Sequence, residues 1–403
     1  MTDTIDALKH RACARVDADR ATLIALSTRI HDCPELNFEE HRAAAWLADY
    51  LEARGFAVER GAYGLATAFA ARRGSGTPRV AILCEYDALP GIGHACGHNV
   101  IAAAGAGAGV ALADLVADTG GSVVVLGTPA EEGGGGKVLM ARGGAFDDVD
   151  AAMMVHPAGL DLDAMHVLAI SQIEVEYTGR AAHASAFPFL GVNALDALVT
   201  AYTSIAQLRQ HIHPTERIHG IITNGGQAPN IVPAHAAGLF YVRAATEAAL
   251  DALKQRVEGC FHAGAHATGA QVSIRTVCED YSDMRHNRPL TEAYAANLSR
   301  LGRQVLKIDD IPAAIAGSTD MGNVSKVVPS IHPMIAIAPP HVPLHSPEFA
   351  TWAVSEEAHR AVIDGAKALA MTALDVLCDT AVRSQARAAF TAAGGHAPQA
   401  SLL

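Results

Sequence analysis

Val80-Ala-Ile-Leu-Cys84-Glu85-Tyr86-Asp87-Ala88-Leu89-Pro90-Gly91-Ile92-Gly93-His94-Ala95-Cys96-Gly97-His98-Asn99 is the stretch on which the fold turns. Val80–Cys84 is an apolar run ended by charge, proline and glycine, which predicts a buried strand. After it, Val100–Ala117 is Ala-rich and helical in pattern. The motif recurs downstream. Ser122–Gly127 is a second apolar run followed by a helical Lys137–Arg142, and Ala151–Val155 and Met334–Ala338 read as further strands. Strand and helix in alternation predict a mostly parallel sheet with helices on both faces.

The middle of the chain has another rhythm. Strand (Gln172–Thr178), helix (Ala194–Gln210), strand (Ile218–Thr223), strand (Ala237–Arg243), helix (Glu247–His266) and strand (Gln271–Val277) give β-α-β-β-α-β, a ferredoxin-like order. The expected organisation is a discontinuous α/β domain, residues 1–170 and 286–403, with 171–285 inserted as a smaller one. Further amphipathic helical stretches are Ala21–Ile30, Arg42–Arg54, Leu290–Leu306 and Ala353–Cys378, and the Ala/Gly/Pro tail after Phe390 reads as frayed.

Composition narrows the function. The 403 residues are 50% hydrophobic and 18% charged, which supplies a large core, and the net charge of −12 repels nucleic acid and anionic membranes alike. The longest uncharged stretch, Val100–Ala113, is shorter than the roughly 20 apolar residues a membrane span needs. Seven scattered cysteines suit reduced thiols, and the acidic N-terminus lacks a signal pattern, so a cytoplasmic location is expected. Gly105–Gly109 lacks the third glycine of a dinucleotide fingerprint and reads as a small-residue packing face. Gly133–Lys137 has Val138 where a P-loop needs Ser or Thr.

Chemistry gathers where the strands end. The first strand leads to Cys96 and His98, two apart and on one side if extended, with Gly97 allowing close approach. The second leads to Glu131-Glu132, two carboxylates that would repel unless a cation or proton lies between them. The third ends at His156-Pro157, and His345 follows in Pro343-Leu-His345-Ser-Pro347. Each alone has a bland alternative: a buried thiol, a solvated acidic loop, a satisfied core histidine. Three successive strands delivering thiolate, imidazole and carboxylate to one sheet edge point instead to divalent metal, and five such groups suit two ions sharing a ligand.

Glu85–Asn99, Gly127-Thr-Pro-Ala-Glu-Glu-Gly133, Gly179-Arg-Ala-Ala-His-Ala-Ser185 and Gly317-Ser-Thr-Asp-Met-Gly322 together resemble the amidohydrolase branch of the two-metal aminoacylase and exopeptidase family (peptidase family M20). Within it the chain looks most like β-alanyl-lysine dipeptidases and aminobenzoyl-glutamate hydrolases. The resemblance implies a zinc-exopeptidase-like mixed sheet with helices on both faces, and an inserted ferredoxin-like lid through which a homodimer forms. It implies Cys96, His98, Glu132, His156 and His345 as metal ligands with Cys96 bridging, Glu131 as general base, and Asp87 orienting a ligand. His183 matches a histidine that reaches the partner's active site in dimeric relatives, while Asn230 and Arg243 match positions that hold the substrate's carboxylate. The implied cofactors are two divalent ions, zinc first, with manganese or cobalt as alternatives. The implied reaction is attack by a metal-bound hydroxide on the amide of an N-acyl amino acid or dipeptide-like substrate. A deacetylase or aryl-amide hydrolase on the same centre, or a binding protein on the inherited fold, are the alternatives.

The sequence departs from the pattern in two places. Asn99 and Ile101 stand where many branch members have Asp and His, and Glu85 stands where other branches have a metal-binding histidine. Glu85 is expected either to face the pocket and pair with a cationic group of the substrate, or to lie solvated at the rim.

Overall fold

The computed structural model describes residues 4–395. The chain forms two compact units, Met1–His166 with Met284–Leu403, and Val167–Asp283.

The first unit is built on a six-stranded mixed sheet in the order Ala57–Arg60, Phe69–Arg73, Ser122–Thr128, Arg79–Glu85, Ala151–Met153, Ser330–Ile331. The last four strands are parallel. Phe69–Arg73 pairs antiparallel with both its neighbours at one edge, which makes the sheet mixed, as the resemblance implies. Ala-Val-Glu-Arg and Phe-Ala-Ala-Arg-Arg are too short and too charged to show the apolar run of a doubly covered strand, which is why the pattern missed them. A two-stranded parallel ladder pairs His156–Ala158 with Met334–Ala336.

Helix His98–Ala113 is buried along its whole length. Its small residues explain how it fits. A Cβ at Gly109 would lie 2.2 Å from Val125 Cγ2, and one at Gly105 would lie 2.7 Å from Cys84 Sγ, so glycine lets the helix sit down on the sheet. Gly107 faces Leu23 and Ala366, from helices Arg20–His31 and Glu356–Cys378 on the opposite side. Asn99 belongs to this packing: its Nδ2 donates to Ser27 Oγ and to Ala353 O, both at 2.9 Å.

The second unit is a four-stranded antiparallel sheet in the order Gln271–Thr276, Ala169–Thr178, His235–Ala244, Arg217–Asn224. Helices Ala194–Leu208 and Glu247–Thr268 complete it. Alternate residues of Ala169–Thr178 are buried, and Tyr177, Phe240 and Phe261 fill the separate core.

Some boundaries moved. The helix expected over Leu290–Leu306 spans Arg288–Ser299, and Gly302, at φ +87°, lies just beyond it. Thr4 caps an unanticipated first helix, Ile5–Ala18. The chain stays helical past Phe390 to Ala392, and the rest of the tail from residue 396 lies outside the described residues.

Candidate metal centre and active site

All five residues expected as metal ligands lie in the first unit, and their side chains converge. Cys96, His98 and His156 form one cluster and Cys96, Glu132 and His345 another, with ligand atoms in each within 4.8 Å of one another. The clusters share Cys96. Sγ of Cys96 is 3.4 Å from Nε2 of His156, and Nε2 of His345 is 3.5 Å from Oε2 of Glu132.

Local backbone sets these positions. Gly97 has φ +77° and starts helix His98–Ala113, so Cys96 and His98 face one centre across a turn and not along extended backbone, as the spacing had suggested. What approaches Gly97 closely is protein: a Cβ there would stand 2.9 Å from Pro157 Cγ. Ala130, immediately before the two glutamates, and His345 itself hold φ of +58° and +61°, values that L side chains resist. Strained backbone at such residues persists only where surrounding contacts impose it. For His345 one such contact is its N–H, which donates to Ala95 O at 3.0 Å.

Asp87 joins the two sides of the centre. Its Oδ1 is 3.0 Å from Nδ1 of His98, and its Oδ2 accepts the backbone N–H of Glu132 at 2.9 Å. The carboxylate thereby fixes the His98 tautomer and turns Nε2 inward. Burial alone would raise the Asp87 carboxyl, but His98 and its hydrogen bond hold it below the ordinary range. His98 in turn is held well above the ordinary imidazole range, since Asp87 and Cys96 outweigh burial.

The centre carries more negative charge than its protein cations balance. Burial, then Glu85 and Glu132, push the Glu131 carboxyl well above its usual range. Burial also raises Glu132 and the Cys96 thiol. Nε2 of His98 and Oε1 of Glu132 are buried without a hydrogen-bond partner, although they lie 3.8 Å apart. Buried polar atoms are ordinarily paired, so inward-facing orphans amid thiol, imidazole and carboxylate fit divalent cations.

Glu85 is not at the solvated rim that was one of its two expected places, and it faces the centre with a cation from the protein already beside it. It is fully buried, and its cation is Lys137, whose Nζ lies 2.6 Å from Oε1. Lys137 Nζ is also 2.6 Å from Asp320 Oδ1, and the Lys137 backbone N–H donates to Asp320 Oδ2 at 2.9 Å. The other Glu85 oxygen is 3.5 Å from His98 Nε2, and Glu85, His98 and Glu131 form a third cluster of ligand-competent atoms. Sequence reasoning missed Lys137 and the use of Asp320. The available signal was the Gly133–Gly136 run ending in lysine, which reads as a failed phosphate loop until the burial is known. His332 was also missed. It is buried with both ring nitrogens unpartnered, its ring 5.3 Å from that of His156.

The other three expected site residues lie in the second unit. His183 is exposed, with Ala184 N donating to Asn230 O at 3.0 Å and a bridge from His183 to Ile231, so the unit brings His183 and Asn230 together. Arg243 is half-buried on strand His235–Ala244, next to Ile170 and Arg217.

Residues 81–375 match peptidase family M20/M25/M40. Over 401 residues the chain is 43% identical to an Xaa-Arg dipeptidase of Mus musculus, covering 96% of this chain and 93% of that one. It is 37% identical to one of the subunits of p-aminobenzoyl-glutamate hydrolase of Escherichia coli, covering 71% of this chain and 64% of that one. A dinuclear metal binding peptidase of the same family from Bacillus subtilis superposes with a TM-score of 0.67 at 20% identity, covering 90% of this chain and 99% of that one.

Proposed function

The chain belongs to peptidase family M20/M25/M40 and is a metal-dependent amide hydrolase, and from that premise we propose that it is a dipeptidase acting on dipeptides with a cationic C-terminal residue, arginine first. The observation that carries the reading is the pair of ligand clusters sharing Cys96 with Glu131 alongside. The 43% identical relative named for Xaa-Arg dipeptides supports the substrate class.

In this reading Cys96, His98, His156, Glu132 and His345 would hold the two divalent ions, the two clusters having Cys96 in common. Bound ions would polarise the amide carbonyl and supply a nucleophile at neutral pH. Glu131 Oε2, 3.9 Å from His98 Nε2, accepts a proton from the attacking water and returns it to the departing amine nitrogen. Asp87 keeps His98 and Glu132 in register while that proton moves. His183 donates to the developing oxyanion, and Asn230 and Arg243 hold the substrate's carboxylate, so that the scissile bond is oriented before reaction. Thiolate and imidazole favour zinc.

The second unit is proposed as a ferredoxin-like lid and homodimerisation module. Its β-α-β-β-α-β order and antiparallel four-stranded sheet support that assignment. No described helix is long and apolar enough to cross a membrane, and all seven cysteines are free, which fits a reducing cytoplasm.

The test is turnover of Xaa-Arg and Xaa-Lys dipeptides, β-alanyl dipeptides, N-acetyl amino acids and aminobenzoyl-glutamate, each with added zinc, manganese and cobalt. Chelator-sensitive cleavage that favours the cationic dipeptides is expected. Preference for the acetyl or aminobenzoyl compounds would overturn the substrate class, and no cleavage of any of them would overturn the dipeptidase reading.

A further inference from the structure

We propose that the segment Glu35–Glu40, with Glu40 at its end, is a positioning brace that holds the turn carrying Glu131 and Glu132. Five contacts, all within the first unit, carry the inference. Glu40 is fully buried, and its Oε1 accepts the N–H of Ala130 at 2.9 Å and that of Phe38 at 3.0 Å. Ala130 and Phe38 both hold left-handed backbone, at φ +58° and +62°, so one buried carboxylate pins two strained residues. The Phe38 ring lies over Gly134, where a Cβ would be 2.5 Å from Cε2, and Asn37 Nδ2 lies beside Gly133, where a Cβ would be 2.9 Å away. Glu35 reaches the other loop: its backbone O accepts the N–H of Ala88 at 2.8 Å, next to Asp87.

Glu131 and Glu132 therefore lie between one residue fastened by Glu40 and two glycines covered by Asn37 and Phe38. The Ala130 carbonyl closes the turn from within, accepting from Gly134 N at 3.0 Å and Gly135 N at 2.9 Å. The brace lies outside residues 81–375 that match the family. None of its side chains belongs to a ligand cluster. Its role is to prevent Ala130 from relaxing to ordinary φ, which would swing both glutamates. The inference rests on the proposed roles of Glu131 and Glu132.

The experiment compares Glu40→Ala, Glu40→Gln and Glu40→Ala with Ala130→Gly in the full chain. Three readouts are taken: retention of zinc against a chelator series, kcat and KM on an Xaa-Arg dipeptide, and amide exchange at Ala130 in metal-free protein. Glu40→Ala should weaken zinc retention about 10–100-fold, the effect typical of losing a group that orients a ligand. It should also lower kcat more than it changes KM and speed exchange at Ala130. Glu40→Gln keeps an accepting oxygen and should stay close to the parent in all three. Ala130→Gly removes the strain and should restore part of the zinc retention that Glu40→Ala loses. Should Glu40→Ala not fold, Glu40→Asp, one methylene too short to reach, carries the same expectations.

Unchanged exchange at Ala130, or lowered thermal stability with parental zinc retention and kcat, overturns the brace. Failure of the parent protein to cleave dipeptides while Ala130 responds as expected would overturn the dipeptidase reading and leave the brace standing.

Discussion

At the scale of single residues, Glu131 is the group whose loss should separate chemistry from binding. Glu131→Gln keeps the shape and removes the base, so kcat should fall roughly 10²–10⁴-fold while the metal content of the purified protein stays near that of the parent. Metal analysis beside steady-state kinetics checks both halves. Lys137 behaves differently because it is buried between two carboxylates. Lys137→Met would leave Glu85 and Asp320 facing each other without a cation, a change that commonly costs about 3–5 kcal/mol. Urea unfolding of metal-free protein measures it, and a cost below about 1 kcal/mol would mean that the pair relaxes by taking up a proton. Cys96, His98, Glu131, Glu132 and His156 stood out because three successive strands end in metal-competent groups, and the family resemblance added His345. Lys137 and Glu40 carried no such mark. A lysine after four glycines and a glutamate before a helix look solvated until their burial is known.

At the scale of elements, each loop of the centre is set by something packed behind it. Asp87 ties the loop after Arg79–Glu85 to the one after Ser122–Thr128, so Asp87→Asn, which cannot present two anionic oxygens, should weaken metal retention about 10–100-fold without unfolding the chain. Chelator titration of the folded variant checks it, and parental retention would count against the ligand-orienting role. Helix His98–Ala113 is fixed by close contact. Gly109→Ala would drive a methyl group into Val125, and overpacking of this kind typically costs about 1–3 kcal/mol, readable as a lower urea midpoint at unchanged slope. The small-residue face was legible in the sequence because Gly105 and Gly109, four apart, share one side of a helix in an Ala-rich run. The antiparallel edge strands were not, since they are short and charged and Phe69–Arg73 joins the sheet through the distant Ser122–Thr128.

At the scale of the whole molecule, pH and metal act together. His286 is pushed down to about 4 from 6.5, mainly by burial, so the folded chain keeps it neutral where the unfolded chain takes up a proton. Between about pH 6.5 and 4 the unfolded state binds more protons, so stability falls as pH falls through that window, by about 3 kcal/mol from this residue. His286→Gln should flatten that acid limb in urea unfolding of metal-free protein. Glu40, pushed up to about 7 by burial and then Asp87, acts with the opposite sign and costs stability as pH rises from 4.5 to 7. Zinc uptake should release protons, because the Cys96 thiol and the Glu132 carboxyl are both raised without metal, and apparent affinity should fall as the solution is acidified.

The sequence alone determined the alternation of strands and helices, the β-α-β-β-α-β insert and which metal-competent side chains gather near strand ends. Each of these is written in local periodicity or in residue types with specific chemistry. Tertiary structure alone decided that Gly97 serves a turn against Pro157, that Lys137 lies between Glu85 and Asp320, and that Glu40 accepts from the left-handed Ala130. Those outcomes depend on which distant side chains share a buried space, where low polarity makes an unpaired charge costly, and local pattern carries no record of that.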